Sequence, residues 1–255
     1  MAPHTASARL SRTALGALVT AGVLLLSGCS LWQEAELKTS TADATVAEAV
    51  TAVELTGVRR GSVEVTAGAG PGVTVHRVAH YRGDTAPTPG QRVSGGVLSF
   101  SDGCRSGEAC WIDYRLEVPA SAKVRVAGSS GDITVTGVAA AELDSSSGDV
   151  RAERIAGPLK VRTSSGEIRA TALAGPEADL ASSSGDTTAE FAKAPDSLSA
   201  TTGSGNVTLK VPRSAYRLSA TTASGDRDIT LPVTADGPSR ITVRTSSGDI
   251  RVSAA

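Results

Sequence analysis

Residues 159–170 read Leu-Lys-Val-Arg-Thr-Ser-Ser-Gly-Glu-Ile-Arg-Ala, and this stretch decides the fold. Apolar and polar residues alternate on both sides of Gly166, which is the pattern of half-buried β-strands. The apolar positions are odd offsets before the glycine and even offsets after it. A side-chain face can switch in this way only at a bulge or corner, and glycine reaches the positive φ that such a corner often needs. The stretch therefore predicts two short strands joined at a glycine corner.

The same unit occurs seven times, at intervals of 17 to 23 residues. About 20 residues are too few for a propeller blade of about 40, but they suit one rung of a solenoid, in which stacked rungs bury each other's inner faces. Residues 121–255 are therefore predicted to form an all-β, parallel β-solenoid (β-helix-like) of about seven rungs. The predicted corner glycines are Gly131, Gly148, Gly166, Gly185, Gly205, Gly225 and Gly248.

The region before the repeats, residues 53–120, is strand-like but irregular, and we predict an N-terminal β cap with the first rungs there. It contains Cys104 and Cys110, an even pair that predicts a disulfide outside the cytoplasm. A metal site is the alternative, although no histidine lies near the two cysteines in sequence. Residues 29–52 lack strands of this kind and are predicted to be a tether, in part helical.

The first 28 residues have the features of a targeting segment. Arg9 and Arg12 precede an apolar run at residues 13–26, which is too short for a transmembrane helix of about 20 residues. Leu-Ser-Gly followed by Cys29 resembles the bacterial lipobox, in which the cysteine is acylated and the peptide is cut before it. Residues 1–28 are therefore predicted to be a lipoprotein signal peptide. Acyl chains on Cys29 would then hold the chain at the outer face of the cell membrane.

The charge balance argues against nucleic acid as a partner. Removal of residues 1–28 takes Arg9 and Arg12 and no acidic residue, which leaves 23 basic and 26 acidic residues in the mature chain. Because nucleic-acid binding needs a concentrated basic footprint and no basic block stands out, we expect no such partner. No cofactor is expected either, and the sequence does not indicate an oligomeric state.

Two columns of polar residues flank the corner glycines. The acidic column after the glycine could bind Ca²⁺, or its side chains could cap the corners by accepting hydrogen bonds from backbone amides. The chain lacks the Gly-Gly-x-Gly-x-Asp repeat of calcium β-rolls, and we favour capping, with no metal site. The serine column before the glycine is interpreted as an inward ladder of hydroxyls, because nucleophilic serines need a positioned base. The acidic column is Asp132, Asp149, Glu167, Asp186, Asn206, Asp226 and Asp249, and the serine column is Ser130, Ser147, Ser165, Ser184, Ser204, Ser224 and Ser247.

Four residues of the cap region carry side chains that could bind a ligand. His76 and His80 would share one face of a helix, but their surroundings predict a strand, so we interpret them as surface histidines. Trp111 and Tyr114 could form a sugar-stacking patch, and packing of the cap is the interpretation we favour. Glycoside cleavage needs a pair of carboxylates in a cleft, whereas the acids here form a periodic column.

Together, the lipobox, the stretch Cys-Trp-Ile-Asp-Tyr-Arg-Leu-Glu-Val-Pro at residues 110–119 and the repeated Ser-Ser-Gly-Asp-Ile/Val units resemble the bacterial "putative adhesin" β-strand-repeat family over residues 53–255. The resemblance implies an extracytoplasmic β-solenoid with no catalytic residues to carry over. We therefore expect a lipid-anchored, non-enzymatic adhesin-like or scaffold module with a protein or glycan partner in the cell envelope. The alternatives are a carbohydrate-active enzyme on a β-helix and an accessory or sensor subunit of an envelope-stress or transport system.

Overall fold

The structure is a computed structural model that describes residues 36–105 and 109–255. Over these residues the chain forms strands and turns without a helix, and hence without a helix that could cross a membrane. The predicted signal peptide, residues 1–28, and the predicted lipidation site, Cys29, lie outside the described residues. The prediction of an all-β fold is confirmed.

The described residues form 21 strands. In chain order they are β1 (Leu37–Val46), β2 (Ala52–Val58), β3 (Val63–Gly68), β4 (Val73–Arg82), β5 (Gly90–Ser94), β6 (Val97–Ser101), β7 (Cys110–Pro119), β8 (Lys123–Gly128), β9 (Ile133–Thr136), β10 (Ala140–Ser145), β11 (Val150–Glu153), β12 (Leu159–Thr163), β13 (Ile168–Leu173), β14 (Glu177–Ser182), β15 (Thr187–Phe191), β16 (Ser197–Ser204), β17 (Val207–Val211), β18 (Tyr216–Ser224), β19 (Arg227–Ile229), β20 (Ser239–Ser247) and β21 (Ile250–Ala254).

The strands form two sheets that share one hydrophobic core. Sheet A has the order β1-β4-β7-β3-β9-β11-β13-β15-β17-β21-β19, and sheet B has the order β18-β20-β16-β14-β12-β10-β8-β2-β6-β5. Each repeat gives one strand to sheet B and the next to sheet A, and strands of successive repeats pair in parallel from β8/β9 to β16/β17. The alternation predicted from sequence holds, because Leu143 and Val161 of sheet B and Val150 and Ile168 of sheet A are all fully buried.

The corner glycines stack on each other in a column, which is the reason they are glycines. A Cβ atom on Gly166 would lie 2.0 Å from the carbonyl oxygen of Gly148, and one on Gly185 would lie 2.0 Å from that of Gly166. The predicted reason, a positive φ, holds only at the last two of the seven, Gly225 and Gly248 (144° and 146°). It is wrong for the other five, where close approach of neighbouring rungs excludes a side chain.

A ladder of buried hydroxyls does exist, but it lies three residues before the glycine rather than one, and in six of the seven repeats; the first repeat has Gly128 at that position. Ser145 Oγ accepts a hydrogen bond from the amide of Gly148 at 3.0 Å, and Thr163 Oγ1 accepts one from Gly166 at 3.0 Å. All seven serines that directly precede the corner glycines are exposed. The inward assignment of that column is therefore wrong, because the alternation of the strand continues up to the third residue before the glycine. The ladder residues are Ser145, Thr163, Ser182, Thr202 and Thr245, all buried, with the half-buried Thr222 in the outermost repeat.

The last two repeats stack in the reverse of their sequence order. Strands β20 and β21, at the C-terminal end of the sequence, insert between β16/β17 and β18/β19 in both sheets. Residues 250–252 therefore lie inside sheet A, paired on both sides, and form no open edge. The outermost rung is β18/β19, and the loop that follows it packs the buried Leu231 at this end of the stack.

The N-terminal end is rearranged in the same way. Strands β2 and β3 lie between β6/β7 and β8/β9, although they precede both in sequence. Beyond them, β1 and β4 extend sheet A as antiparallel strands. The tether predicted for residues 29–52 is wrong over β1, which pairs with β4 along its whole length. Because nearly all side chains of β1 are exposed on both faces, the strand carries no alternation that could have predicted it.

The disulfide predicted between Cys104 and Cys110 is confirmed. The two cysteines are bonded, with their Cα atoms 5.7 Å apart, and they close the connection between β6 in sheet B and β7 in sheet A. The bond therefore joins the loop after β6 to the first residue of β7.

Candidate binding surface

A groove crosses the outer face of sheet B. It has a volume of about 670 Å³ and crosses six neighbouring strands, β2, β8, β10, β12, β14 and β16. With about 4.8 Å between strands, it is about 24 Å long. Its floor includes the small side chains of Ala52, Ala140 and Pro158. The lining also includes the charged Lys123 and Glu177, and because the groove crosses successive strands it follows the axis of the stack.

The wall of the groove is a ladder of ion pairs between neighbouring strands. Glu142 on β10 accepts hydrogen bonds from Arg125 on β8 at 3.1 Å and from Lys160 on β12 at 2.6 Å. The hydrogen bond from Lys160, with a smaller contribution from the charge of Arg125, lowers the pKa of Glu142. Arg162 reaches Asp179 on the next strand at 3.4 Å. The wall is therefore polar but largely neutralised by its own pairs.

The acidic column after the corner glycines caps the corners. Asp132 Oδ1 accepts a hydrogen bond from the amide of Asp149 at 3.1 Å, and Asp149 Oδ1 accepts one from the amide of Glu167 at 2.9 Å. Arg151 lies 3.8 Å from Asp132 and 3.5 Å from Asp149, and Arg169 lies 2.8 Å from Glu167. Backbone amides and arginines thus occupy the carboxylate oxygens. Within residues 36–105 and 109–255, no group of three or more His, Cys, Asp or Glu is placed to hold a metal ion.

His76 and His80 lie on the outer face of sheet A, where β4 positions them, and each has a separate carboxylate partner. His76 Nδ1 lies 2.6 Å from Asp43 on β1, and His80 Nε2 lies 2.8 Å from Asp113 on β7. Asp113 also accepts the backbone amide of Ser62 at 2.8 Å. The two histidines therefore do not converge on one site. Sequence reasoning missed Asp43 because its strand was assigned to the tether.

The side chains of Trp111 and Tyr114 point to opposite sides of β7, so they form no joint sugar-stacking patch. Trp111 stacks on His80 with ring centroids 4.9 Å apart and an interplanar angle of 10°. Tyr114 is buried and packs edge-on against Phe100 at 5.5 Å. Burial raises the pKa of Tyr114 to about 12; the charge of Arg77 opposes the rise and Asp102 adds to it. The packing interpretation is confirmed for Tyr114.

Comparisons with known proteins agree with this fold. No curated protein sequence matches the chain. The crystal structure of a "putative adhesin" from Bacteroides fragilis matches with a TM-score of 0.52 and 13% identity, and covers 85% of this chain and 97% of that one. A "putative adhesin" from Parabacteroides distasonis matches with a TM-score of 0.35 and 12% identity, over 86% of this chain and 98% of that one. The first likeness shows that the two proteins share a fold. A family model described as Toastrack DUF4097 matches residues 92–253, more than half of the sequence, and the chain therefore belongs to the Toastrack DUF4097 family.

Proposed function

We propose that this Toastrack protein is a non-enzymatic binding module of the cell envelope, and that the groove on sheet B holds an extended, uncharged polar polymer. The observation that carries the proposal is the groove itself, which runs along the stack for about 24 Å. Linear glycans are extended, polar polymers, and they occur in the bacterial cell envelope.

The stack supports such binding because its surface is rigid. Each rung is held to its neighbours by parallel strand ladders and by the close contact of the corner glycines. A preorganised surface loses little conformational entropy when a ligand binds. Glu142 is already paired with Arg125 and with Lys160. An uncharged ligand can therefore form hydrogen bonds with these side chains through its hydroxyl groups while the ion pairs stay intact.

Location supports the same function. The predicted lipobox at Cys29 would anchor the chain outside the cell membrane, within reach of the cell wall and of surface polymers. The name adhesin belongs to the structurally similar proteins and comes to this chain as part of the proposal.

Glu142, the carboxylate held between Arg125 and Lys160 in the groove, does not suit the role of general acid in glycoside cleavage. A glycosidase needs a general acid whose pKa is raised so that it stays protonated. The pKa of Glu142, which lines the groove, is instead lowered by its hydrogen bond from Lys160. Glu142 is therefore ionised at neutral pH and unsuited to donate a proton to a leaving group.

The test is co-sedimentation with chitin, an insoluble linear glycan without charged groups. The full-length protein should sediment with the chitin, and Ala140→Trp, which fills the groove floor, should weaken this binding at least tenfold. The matched control is Thr188→Trp, on the outer face of β15 in sheet A, which should bind like the wild type. Equal binding by the two variants, or no binding by the wild type, would overturn the proposal.

A further inference from the structure

Where the groove ends on β16, the outer face of sheet B changes its chemistry. The outward positions of β16, β20 and β18 hold three arginines, six hydroxyls and no carboxylate. We name these nine residues the arginine–hydroxyl array. Its members, strand by strand and in register, are Ser197, Ser199 and Thr201 on β16, Arg240, Thr242 and Arg244 on β20, and Arg217, Ser219 and Thr221 on β18.

Two arginines of the array are placed against each other. Arg217 and Arg240 are register partners on adjacent parallel strands, about 4.8 Å apart along the sheet. Like charges directly opposite each other are unfavourable. In the part of the chain that the structure describes, no carboxylate pairs with the side chain of Arg217, Arg240 or Arg244. In the groove, by contrast, the side chain of Arg125 forms an ion pair with Glu142.

A loop borders one end of the array. The segment after β19 returns along β18, where the amide of Thr234 donates to the carbonyl of Tyr216 at 3.0 Å. Val233 and Thr234 of this loop, with Arg217, Arg240 and neighbouring hydroxyls, line a pocket of about 570 Å³. That volume lies in the range of small-ligand sites. Two of the unpaired arginines, Arg217 and Arg240, therefore border an open depression beside this loop.

We infer that the arginine–hydroxyl array binds an anionic, hydroxyl-rich polymer, with one anionic group held between Arg217 and Arg240. A guanidinium binds carboxylate or phosphate with two parallel hydrogen bonds. The serines and threonines can donate and accept hydrogen bonds from the hydroxyls of sugars or polyols. Arg244 lies four residues after Arg240 on the same strand, about 13 Å away, so it can contact a second charge of a repeating polymer.

The array shares Ser197 and Ser199 with the end of the groove, but its arginines lie outside the groove, and the inference does not depend on the proposed function. The array arises because β20 inserts between β16 and β18, which brings Arg240 beside Arg217. In sequence order the two arginines are 23 residues apart. The reversed order of the last two rungs therefore assembles the array.

The test measures binding of the full-length protein to three polymers: poly(glycerol phosphate), polygalacturonate and neutral dextran. The wild type should bind at least one anionic polymer at least tenfold more tightly than dextran, and less tightly at higher salt. The double substitution Arg217→Gln/Arg240→Gln should remove at least tenfold of that affinity. Tighter binding of poly(glycerol phosphate) would assign phosphate as the ligand group, and tighter binding of polygalacturonate would assign carboxylate; both results support the inference.

The matched control is Arg169→Gln/Arg251→Gln on sheet A, which changes the net charge equally and should retain affinity within twofold. Equal losses in the two double variants would overturn the inference, since net charge alone would then explain binding. Duplex DNA is measured as a further control polyanion, and equal affinity for DNA and for both anionic polymers would overturn the inference too. Ala140→Trp should leave anionic binding unchanged, so failure of this inference and failure of the groove proposal are distinguishable.

Discussion

Replacement of Gly166 by alanine should destabilise the protein strongly, although it adds a single methyl group. A Cβ atom there would lie 2.0 Å from the carbonyl oxygen of Gly148, 2.7 Å from its carbonyl carbon and 3.0 Å from Thr163 Oγ1. Real Cβ atoms essentially never lie within 3.0 Å of such neighbours. The corner must therefore move away from the adjacent rung by about 1 Å or more.

The expected loss of stability depends on the backbone contacts and hydrogen bonds that this movement disturbs. The atoms in the way belong to the backbone of a parallel ladder, so no side-chain rotation can relieve the contact. Overpacking in a closely packed interior costs about 1–3 kcal/mol. The shift also weakens the hydrogen bonds from the Gly166 amide to Thr163 and from the Glu167 amide to Asp149, each with a net value of about 1 kcal/mol. We expect a loss of about 3 kcal/mol, which corresponds to about 6–12 °C in Tm for a chain of this size.

The assay is urea unfolding followed by far-ultraviolet circular dichroism, with two control variants. Gly70→Ala adds a methyl group where no atom lies within 4 Å, and Gly128→Ala adds one inside a repeat, where the nearest atoms are at 3.6 and 3.7 Å. Both should leave stability unchanged or raise it by about 0.4–1 kcal/mol, since alanine restricts the unfolded chain. If Gly166→Ala unfolds at the same urea concentration as Gly128→Ala, close approach is not what requires glycine at the corners.

Three further predictions concern stability. Thr163→Val should cost about 1–3 kcal/mol in urea unfolding, because the buried amide of Gly166 loses its acceptor; the exposed Ser165→Ala should change stability by less than about 0.5 kcal/mol, and equal effects would contradict the ladder. Reduction of the Cys104–Cys110 disulfide should cost about 2 kcal/mol for so short a loop, and a melting curve that reductant does not alter would refute this. The pKa of buried Tyr114 is raised to about 12, so its stabilising contribution is complete below pH 10 and is lost as the pH rises from about 10 to 12, by about 2–3 kcal/mol. Tyr114→Phe should therefore unfold at higher pH than the wild type in an alkaline titration, and an unchanged midpoint would argue against burial as the cause.

The sequence predicted the elements of the repeats because their alternation is local. Val161 and Ile168 are buried, and their neighbours Arg162 and Arg169 are exposed, as the switch of phase at Gly166 requires. The capping role of the acidic column also followed from the residue type at a corner. The inward ladder was assigned to the wrong column, because Ser at the first position before the glycine and Ser or Thr at the third are equally small and polar.

The candidate sites were much less accessible from the sequence. The groove depends on Ala52, Ala140 and Pro158, which are 88 and 18 residues apart in sequence and become neighbours only through strand pairing. Small residues at outward positions of a strand do not by themselves indicate a groove. The same holds for Asp43, which reaches His76 only because β1 joins the edge of sheet A.

By itself, the sequence determined that this protein is an all-β stack of strand–corner–strand units, which faces are buried, and that Cys104 and Cys110 pair. Only the tertiary structure decided the order of the rungs at both ends, with β2/β3 and β20/β21 inserted between rungs that follow or precede them. The physical reason is that every rung presents nearly the same parallel edge and the same glycine corner to its neighbour. Local pattern therefore fixes how a rung is built, whereas its place in the stack depends on the connections and on burial of the exposed end faces, neither of which has a periodic signal.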